Sequence, residues 1–429
     1  MYDVLIVGGG AAGFYAAIHM VEANPQLKVA ILERGKEVLT KVKVSGGGRC
    51  NVTHAEFVPS ELSKNYPRGE KELLGPFHSY CSGDTVAFFE SRGIALNIEE
   101  DGRMFPATNS SQTIIDCFVS ETERLGIKVL KNSSVVKILR RENNEEHPDY
   151  SWNVTSLHAT YLAKKLVVAT GSNPKIWDML QNLGHTIIPP VPSLFTFNIK
   201  DERISGIPGV STNARIQVIP SKVNTGKFKE ALKKYGIHQS ALESEGPLLI
   251  THWGMSGPGI LRLSAWGAQL LNDLNYKFRI RVNWLPEYYE EAVLSQLQEI
   301  KEIEAKKTVL RTKSFDLPKR LWISLVKAVG IADTVKWADM TKIQLQNLAQ
   351  QLSSSEFLVD GKSTFKEEFV TAGGVDLKEI NFKTYESKIH NDLYFAGEVI
   401  NIDAITGGFN FQNAWTGGFL VAQAIVAKG

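Results

Sequence analysis

The chain has 429 residues, of which 43% are hydrophobic and 22% charged, and 48 Lys and Arg stand against 46 Asp and Glu. A net charge of +2 gives no reason to expect a nucleic acid or an acidic membrane surface as a partner. Three cysteines show neither a CxxC pair nor a metal-ligand spacing, so we expect a cytoplasmic, metal-free protein. The length accommodates two domains, or one domain with an insertion.

The first residues predict a strand, a helix and a second strand. Residues 2–7 (YDVLIV) are a short apolar run typical of a strand buried in a parallel sheet, and residues 28–32 (KVAIL) repeat that pattern. Between them lie a glycine-rich turn, residues 8–13, and a helix rich in small residues, 14–23. Such a βαβ unit closes with parallel strands and a right-handed crossover.

The residue pattern of the sequence changes near Pro189. Residues 189–285 contain prolines, alternating segments and few convincing helices, which predicts an inserted β-rich, barrel-like domain. Residues 286–352 carry apolar residues three and four apart, which predicts a helical subdomain. We therefore expect a nucleotide-binding domain formed by residues 1–188 and 353–429 and interrupted by these two parts.

Gly8, Gly10 and Gly13 fit the pattern GxGxxG between a buried strand and a helix. Gly8 permits the tight turn, Gly10 lets the backbone approach a pyrophosphate, and Gly13 allows close packing of helix on strand. Glu33 ends the second strand, where its carboxylate would accept hydrogen bonds from ribose hydroxyls and repel a 2′-phosphate. The expected dinucleotide is therefore FAD or NAD, and a turn without a ligand is the disfavoured alternative.

Two further glycine-rich segments favour FAD. Residues 45–51 (SGGGRCN) follow the second strand, where Arg49 and Asn51 offer hydrogen-bond donors. Near the C-terminus, Glu398 ends a strand and suits a ribityl hydroxyl, while residues 406–410 (TGGFN) precede the last helix. The N-terminus of that helix would lie by the isoalloxazine ring and favour negative charge on the reduced flavin. Two separated segments that meet one long, non-covalently held cofactor are what FAD requires.

These segments resemble a family of bacterial FAD-dependent flavoproteins, described as NAD(P)/FAD-dependent oxidoreductases, that includes aminoacetone oxidase. The resemblance also covers residues 102–106 (GRMFP), 251–258 (THWGMSGP), 371–375 (TAGGV) and 393–408 (LYFAGEVINIDAITGG). It implies an α/β fold: a Rossmann-like FAD-binding domain of the two-dinucleotide-binding-domain type, interrupted by an inserted β-barrel and a helical region. One departure is that residues 169–177 (ATGSNPKIW) lack the GSTGDG-like continuation of the family.

The predicted cofactor site extends over the two parts of the nucleotide-binding domain. A redox-active or flavin-linked Cys50 is disfavoured because no second cysteine lies at CxxC spacing. The residues that we expect to contact FAD are Gly8, Gly10, Ala12, Gly13, Glu33, Arg34, Ser45, Gly46, Gly47, Arg49, Cys50, Asn51, Val135, Ala169, Thr170, Gly171, Gly397, Glu398, Gly408, Asn410 and Asn413.

His252 and Arg103 are the candidate catalytic residues, with structural roles as the alternative for each. We expect hydride transfer between flavin N5 and a small organic substrate, with the flavin reoxidised by O2 or reduced by NAD(P)H. No second GxGxxG follows a buried strand, so NAD(P)H would dock transiently. The alternative is a flavin-binding protein that acts on a macromolecule such as tRNA. The insertion shows no basic run interleaved with aromatic residues, so we expect a small-molecule partner, no nucleic acid and no membrane, and the oligomeric state stays open.

Overall fold

The computed structural model describes residues 1–141, 149–221, 224–312, 315–364 and 370–428. The chain divides into two units: unit 1 comprises residues 1–191 and 366–429, and unit 2 comprises residues 192–365. The finer division at residues 188, 285 and 352 stays a prediction.

The strands are short, and most have three to nine residues. They are β1 (Tyr2–Val7), β2 (Val29–Leu32), β3 (Thr53–His54), β4 (Leu96–Ile98), β5 (Arg103–Pro106), β6 (Lys128–Leu130), β7 (Val135–Arg140), β8 (Trp152–Ser156), β9 (Thr160–Val168), β10 (Ile187–Pro192), β11 (Thr196–Asn198), β12 (Ser211–Ile219), β13 (Glu243–Ile250), β14 (Gly254–Ser256), β15 (Lys277–Asn283), β16 (Ser355–Asp360), β17 (Lys362–Ser363), β18 (Thr371–Val375), β19 (Ile380–Asn381), β20 (Glu386–Ser387) and β21 (Leu393–Phe395).

The longest helix is the last one. The α-helices are α1 (Ala11–Ala23), α2 (Thr40–Gly48), α3 (Pro59–Ser63), α4 (Glu70–Ser79), α5 (Ser82–Glu90), α6 (Ser111–Arg124), α7 (Pro174–Asn182), α8 (Glu202–Ser205), α9 (Thr225–Tyr235), α10 (Pro258–Trp266), α11 (Ala268–Asp273), α12 (Glu290–Ile303), α13 (Lys319–Ala328), α14 (Lys342–Ser353) and α15 (Phe409–Ala427).

A parallel sheet forms the centre of unit 1, with the strand order β21-β9-β1-β2-β6. Val4 pairs with Val29 on one side and with Lys165 on the other. Leu5 and Ile6 are fully buried, as a strand covered on both faces requires, and each such side chain stabilises the fold by roughly 1.5–3 kcal/mol. The sequence pattern therefore predicted these central strands correctly.

Helices α1 and α15 pack closely against each other in unit 1. A Cβ at Gly418 would lie only 2.9 Å from the carbonyl oxygen of Ala12, so a larger residue would push the two helices apart. Residues 12–18 of α1 are all buried, which explains why this helix is apolar on every side. The middle of the last helix thereby lies against the first turns of α1.

Unit 2 is built on an antiparallel sheet with the order β16-β15-β12-β13-β14-β11-β17. This inserted antiparallel sheet agrees with the predicted β-rich module, but a closed barrel is not shown. The expectation of few helices in residues 189–285 is wrong, because α8, α9, α10 and α11 lie there. Helix α9 has apolar residues at helical spacing, at positions 228, 231, 232 and 235, and this signal was overlooked among the surrounding lysines. Helix α10 begins at Pro258 and contains small residues, which made it hard to recognise from the sequence.

Candidate cofactor site

The predicted phosphate turn and three other predicted segments meet at one edge of the parallel sheet. Gly8 N–H donates to Leu32 O (2.9 Å), and Ala169 N–H donates to Val7 O (2.8 Å). Ala396 N–H donates to Val168 O (3.1 Å), which brings the C-terminal segment to the same edge. In open α/β sheets, ligands bind outside the carboxyl ends of the strands, and this is such an edge.

The turn between β1 and α1 has the geometry that an anion site needs. A Cβ on Gly13 would overlap the carbonyl oxygen of Gly8, so only glycine lets α1 start this close to β1. Gly10 caps α1 in extended conformation, and a Cβ there would meet nothing within 4 Å. Open space next to the N-terminus of a helix, with free N–H groups and the positive end of its dipole, fits a pyrophosphate.

Glu33 connects the turn to the end of β2. Its Oε2 accepts from Gly9 N–H (3.0 Å), and its Oε1 accepts from Gly35 N–H (2.7 Å), which leaves each oxygen one further lone pair. Ser133 N–H donates to Glu33 O (2.8 Å), so the segment that leads into Val135 lies beside this carboxylate. Arg34 is exposed. The Glu33 carboxylate, held by two backbone N–H groups, is placed to accept hydrogen bonds from the ribose of a dinucleotide.

The predicted SGGGRCN loop follows the helical part of α2 and makes a left-handed turn. Ser45 is extended, whereas Gly46, Gly47 and Gly48 have φ values of 57°, 69° and 84°. A Cβ on Gly47 or Gly48 would meet nothing within 4 Å, so this backbone also faces open space. A residue with a side chain would pay roughly 1–2 kcal/mol at such φ values.

Arg49 and Arg103 form one network on the small sheet β3-β5-β4. Arg49 pairs with Glu99 (2.6 Å) and lies 3.9 Å above the centre of the Phe105 ring. Arg103 pairs with the same Glu99 (2.9 Å) and with Asp101 (2.7 Å). The guanidinium of Arg103 is therefore already engaged by two carboxylates, and its predicted catalytic role stays a prediction.

The segments 45–51 and 406–413 meet, as two contact points of one cofactor would. In the amide orientation that satisfies its neighbours, Asn51 donates to Thr53 O and accepts from Gly408 N–H, both at 3.0 Å. Gly408 caps α15 with a φ of 92°. Asn413 lies in the first turns of α15, is 1% exposed, and its Oδ1 has no hydrogen-bond partner among the described residues. An orphaned acceptor of this kind points to a missing donor.

The side chains of Asn410 and Glu398 are both engaged within the chain, and their predicted contacts with FAD stay predictions. Both amide atoms of Asn410 bond to the backbone of Ala404 (3.0 and 3.2 Å), so the side chain holds the loop before α15. Glu398 forms an ion pair with Lys41, and a Cβ on Gly171 would lie 3.4 Å from its Oε2. Where the chain lacks the GSTGDG-like continuation after Gly171, it forms helix α7, whose N-terminus is capped by the Asn173 side chain.

Sequence reasoning missed Lys41 and His54. His54 Nδ1 lies 3.0 Å from the carbonyl oxygen of Gly407, and its ring stacks on Phe409 at a centroid distance of 4.5 Å. The only signal for His54 was its place directly after the SGGGRCN segment. Lys41 had none, because its partner Glu398 lies 357 residues away in sequence.

Gln412 was also missed, and it fixes the start of α15. Its Oε1 accepts from Thr53 (2.6 Å) and Thr85 (3.0 Å), while its Nε2 donates to Thr416 (3.1 Å). Gln412 and both threonine partners of its Oε1 are fully buried. Buried polar groups satisfied in this way hold their elements in one arrangement.

The structure gives Cys50 and His252 different surroundings. Cys50 is buried in the core of unit 1, and burial raises the pKa of its thiol to about 12. A thiol at that pKa is a poor nucleophile. His252 lies in unit 2, exposed in the turn between β13 and β14, and its catalytic role stays a prediction.

The described ranges contain neither a candidate metal site nor a candidate membrane-spanning helix. No group of three His, Cys, Asp or Glu side chains in them lies close enough together to hold a metal ion. No helix in the same ranges has the length and apolar character needed to span a membrane.

Comparison with known proteins identifies the family. The family model described as "HI0933-like protein Rossmann domain" matches residues 2–424. The chain is 28% identical to a ribosomal RNA dihydrouridine synthase of Haemophilus influenzae, with 98% of each chain covered. It is 26% identical to an Escherichia coli protein of the same name, over 99% of this chain and 98% of that one. A 3-dehydro-bile acid delta(4,6)-reductase of Clostridium scindens is 25% identical over the whole of both chains.

The relatives correct the expected partners. The exclusion of nucleic acid is wrong, since two relatives matched along nearly their entire length are named for a modification of ribosomal RNA. The physical reason is that a net charge of +2 is the sum over 429 residues and says nothing about the charge of one surface. The match over residues 2–424 shows that the chain belongs to the HI0933-like family of flavin-dependent oxidoreductases.

Proposed function

We propose that this chain is an FAD-dependent reductase that adds two hydrogens to a carbon–carbon double bond conjugated to a carbonyl group, and that its substrate is a uridine of ribosomal RNA. The observation that carries the proposal is the full-length match to two proteins named ribosomal RNA dihydrouridine synthases. The C5=C6 bond of uracil is conjugated to its C4 carbonyl, which makes it an acceptor for hydride from reduced flavin.

The residues at the carboxyl edge of the sheet fit FAD. Gly10 and the N-terminus of α1 would hold the pyrophosphate, and Glu33 the adenosine ribose. Asn413 has a buried acceptor that needs a donor, and the backbone at Gly47 and Gly48 borders open space. When bound, FAD supplies the hydride chemistry; the chain's own groups orient it and hold charge near it.

His54 is the side chain that we propose as the proton source. A carbonyl oxygen can only accept, so the contact with Gly407 O means that Nδ1 carries a hydrogen, and the proton to be given would be held on Nε2. Gly102 has no side chain, and a Cβ there would lie 2.5 Å from Nε2, so this nitrogen has room only because of that glycine. Reduction requires a hydride on one carbon and a proton on its neighbour. His54 would give that proton and recover one from water.

The electrons would come from a nicotinamide dinucleotide that docks transiently. A second GxGxxG after a buried strand is missing from the sequence, which argues against a permanent nicotinamide site. A small unsaturated carbonyl compound is the second candidate substrate, and the observation in its favour is the full-length match to the bile acid reductase.

The experiment is an anaerobic flavin titration. The FAD-loaded protein is reduced with NADH or NADPH and then mixed separately with a ribosomal RNA transcript, uridine monophosphate and a 3-keto-4-ene steroid. We expect the transcript to reoxidise the flavin fastest. Reoxidation by the steroid alone would move the assignment to the second candidate, and reoxidation by none of the three would refute the double-bond reductase.

A further inference from the structure

Charge is divided unevenly between the two units. Residues 192–365 carry 23 Lys and Arg against 17 Asp and Glu, a net charge of +6. Residues 1–191 and 366–429 together carry 25 against 29, a net charge of −4. The near-neutral chain therefore consists of a basic unit and an acidic unit. Binding of a nucleic acid depends on positive charge gathered on one surface, so unit 2 is where such a surface is expected.

Helix α9 (Thr225–Tyr235) of unit 2 has an outer face made mainly of lysine. Its lysines at positions 227, 229, 233 and 234 are exposed, and its single acidic residue is Glu230. The opposite face is apolar, and Phe228 and Ala231 are buried there in the core of unit 2. The side chains that remain outside on this helix give it a net charge of +3.

The lysines of this face are largely free of carboxylate partners. Lys234 pairs with Asp273 at 2.8 Å. Within the described ranges, no carboxylate oxygen lies within 4 Å of Lys227, Lys229 or Lys233.

The arginines on the sheet of the same unit, in contrast, are paired with carboxylates. Arg215 pairs with Glu245 (2.9 Å), while Arg279 and Arg281 share Glu356 (2.5 and 3.0 Å). The charge of the sheet is therefore largely balanced by its own carboxylates, and that of α9 is not.

We propose that the lysine face of α9, formed by Lys229 and Lys233 one turn apart, with Lys227 at the other edge of the exposed side, is a docking surface for the phosphate backbone of the RNA substrate. The inference rests on the proposed function, which supplies the RNA. Charge complementarity favours this partner, because lysines that neutralise phosphates release counterions. An anionic membrane is disfavoured, because the apolar face of α9 is already buried in the unit's core and cannot insert into lipid.

The test is the salt dependence of RNA binding by the FAD-loaded protein, measured by fluorescence anisotropy with a labelled ribosomal RNA transcript. The variant is the double substitution K229E/K233E. The matched control is K71E/K137E, which reverses two exposed lysines of the acidic unit. Loss of two phosphate contacts should make the plot of log K against log salt less steep by about 1.4. At 0.1 M salt this difference corresponds to roughly 25-fold weaker binding. The control should bind RNA more strongly than K229E/K233E at 0.1 M salt, and the difference should shrink as the salt concentration rises.

The outcomes separate this inference from the proposed function. Wild-type binding that K229E/K233E leaves unchanged would overturn the docking surface while leaving an RNA substrate in place. A wild-type protein that does not bind the transcript at all would overturn both. An equal loss in the control would assign the effect to overall charge and overturn α9 as the site. Binding of α9 to vesicles of anionic phospholipid, lost in K229E/K233E without an effect on RNA, would reassign the face to a membrane. Unchanged flavin absorbance and urea unfolding of K229E/K233E confirm that the variant is folded.

Discussion

The addition of one methyl group should leave the stability of the protein nearly unchanged at Gly10 and lower it at Gly13. In Gly10→Ala the new Cβ meets nothing within 4 Å, and the backbone at φ −99° and ψ −170° is open to alanine. The free energy of unfolding of the FAD-free protein should therefore change by less than about 1 kcal/mol. In Gly13→Ala the Cβ overlaps Gly8 O, so helix or strand must shift, at a cost of about 1–3 kcal/mol.

The affinity for FAD should fall in Gly10→Ala, although the stability of that variant is nearly unchanged. In Gly10→Ala the methyl group occupies the space that we assign to the pyrophosphate. One lost hydrogen bond to a charged oxygen costs about 1.5–3 kcal/mol, which weakens binding by more than about tenfold. Urea unfolding without FAD and titration of flavin fluorescence measure the two quantities separately. Wild-type affinity in a stable Gly10→Ala protein would refute the placement of the pyrophosphate, and a large loss of stability would show that Gly10 is needed for packing instead.

Three further predictions test other parts of the site and its support. Burial lowers the pKa of His19 from 6.5 to about 4, so the unfolded chain takes up this proton first as the pH falls. Stability present above pH 6.5 should be lost between pH 6.5 and 4, by up to about 3 kcal/mol, and urea unfolding of wild type against His19→Leu should show a shallower pH dependence in the variant. Gln412→Leu removes the acceptor of two buried hydroxyls, Thr53 and Thr85, and should cost about 1–3 kcal/mol in urea unfolding; a neutral result would mean that the network relaxes without loss. His54→Asn retains a donor near the Nδ1 position, so FAD affinity and flavin reduction by NAD(P)H should persist while reoxidation by RNA slows by about 100-fold or more; normal reoxidation would remove His54 from the chemistry.

The parts of the fold that the sequence predicted are those fixed by local backbone physics. The buried strands β1 and β2 show as apolar runs, and the turn after β1 shows because the backbone at Gly8 and Gly13 admits only glycine. The antiparallel insertion was predicted from alternation, while helices α9 and α10 inside it were not.

Side-chain partners far apart in sequence could not be predicted. The pairing of Lys41 with Glu398 and the stacking of His54 on Phe409 exist only after the C-terminal segment returns to the first sheet. The hydrogen bonds between the Asn410 amide and the backbone of Ala404 were not visible in the sequence either, and the predicted contact of Asn410 with FAD stays a prediction. Overall composition also hid the basic character of unit 2, because the acidic unit cancels it.

The central claim is that the reduced flavin of this protein reduces a uridine of ribosomal RNA. A single-turnover experiment tests it most directly. The anaerobically reduced, FAD-loaded protein is mixed with an unmodified ribosomal RNA transcript, flavin absorbance is followed, and the nucleosides are then analysed by mass spectrometry. We predict one dihydrouridine for each flavin reoxidised, at a defined position in the RNA. Flavin that is reoxidised without the appearance of dihydrouridine would contradict the account.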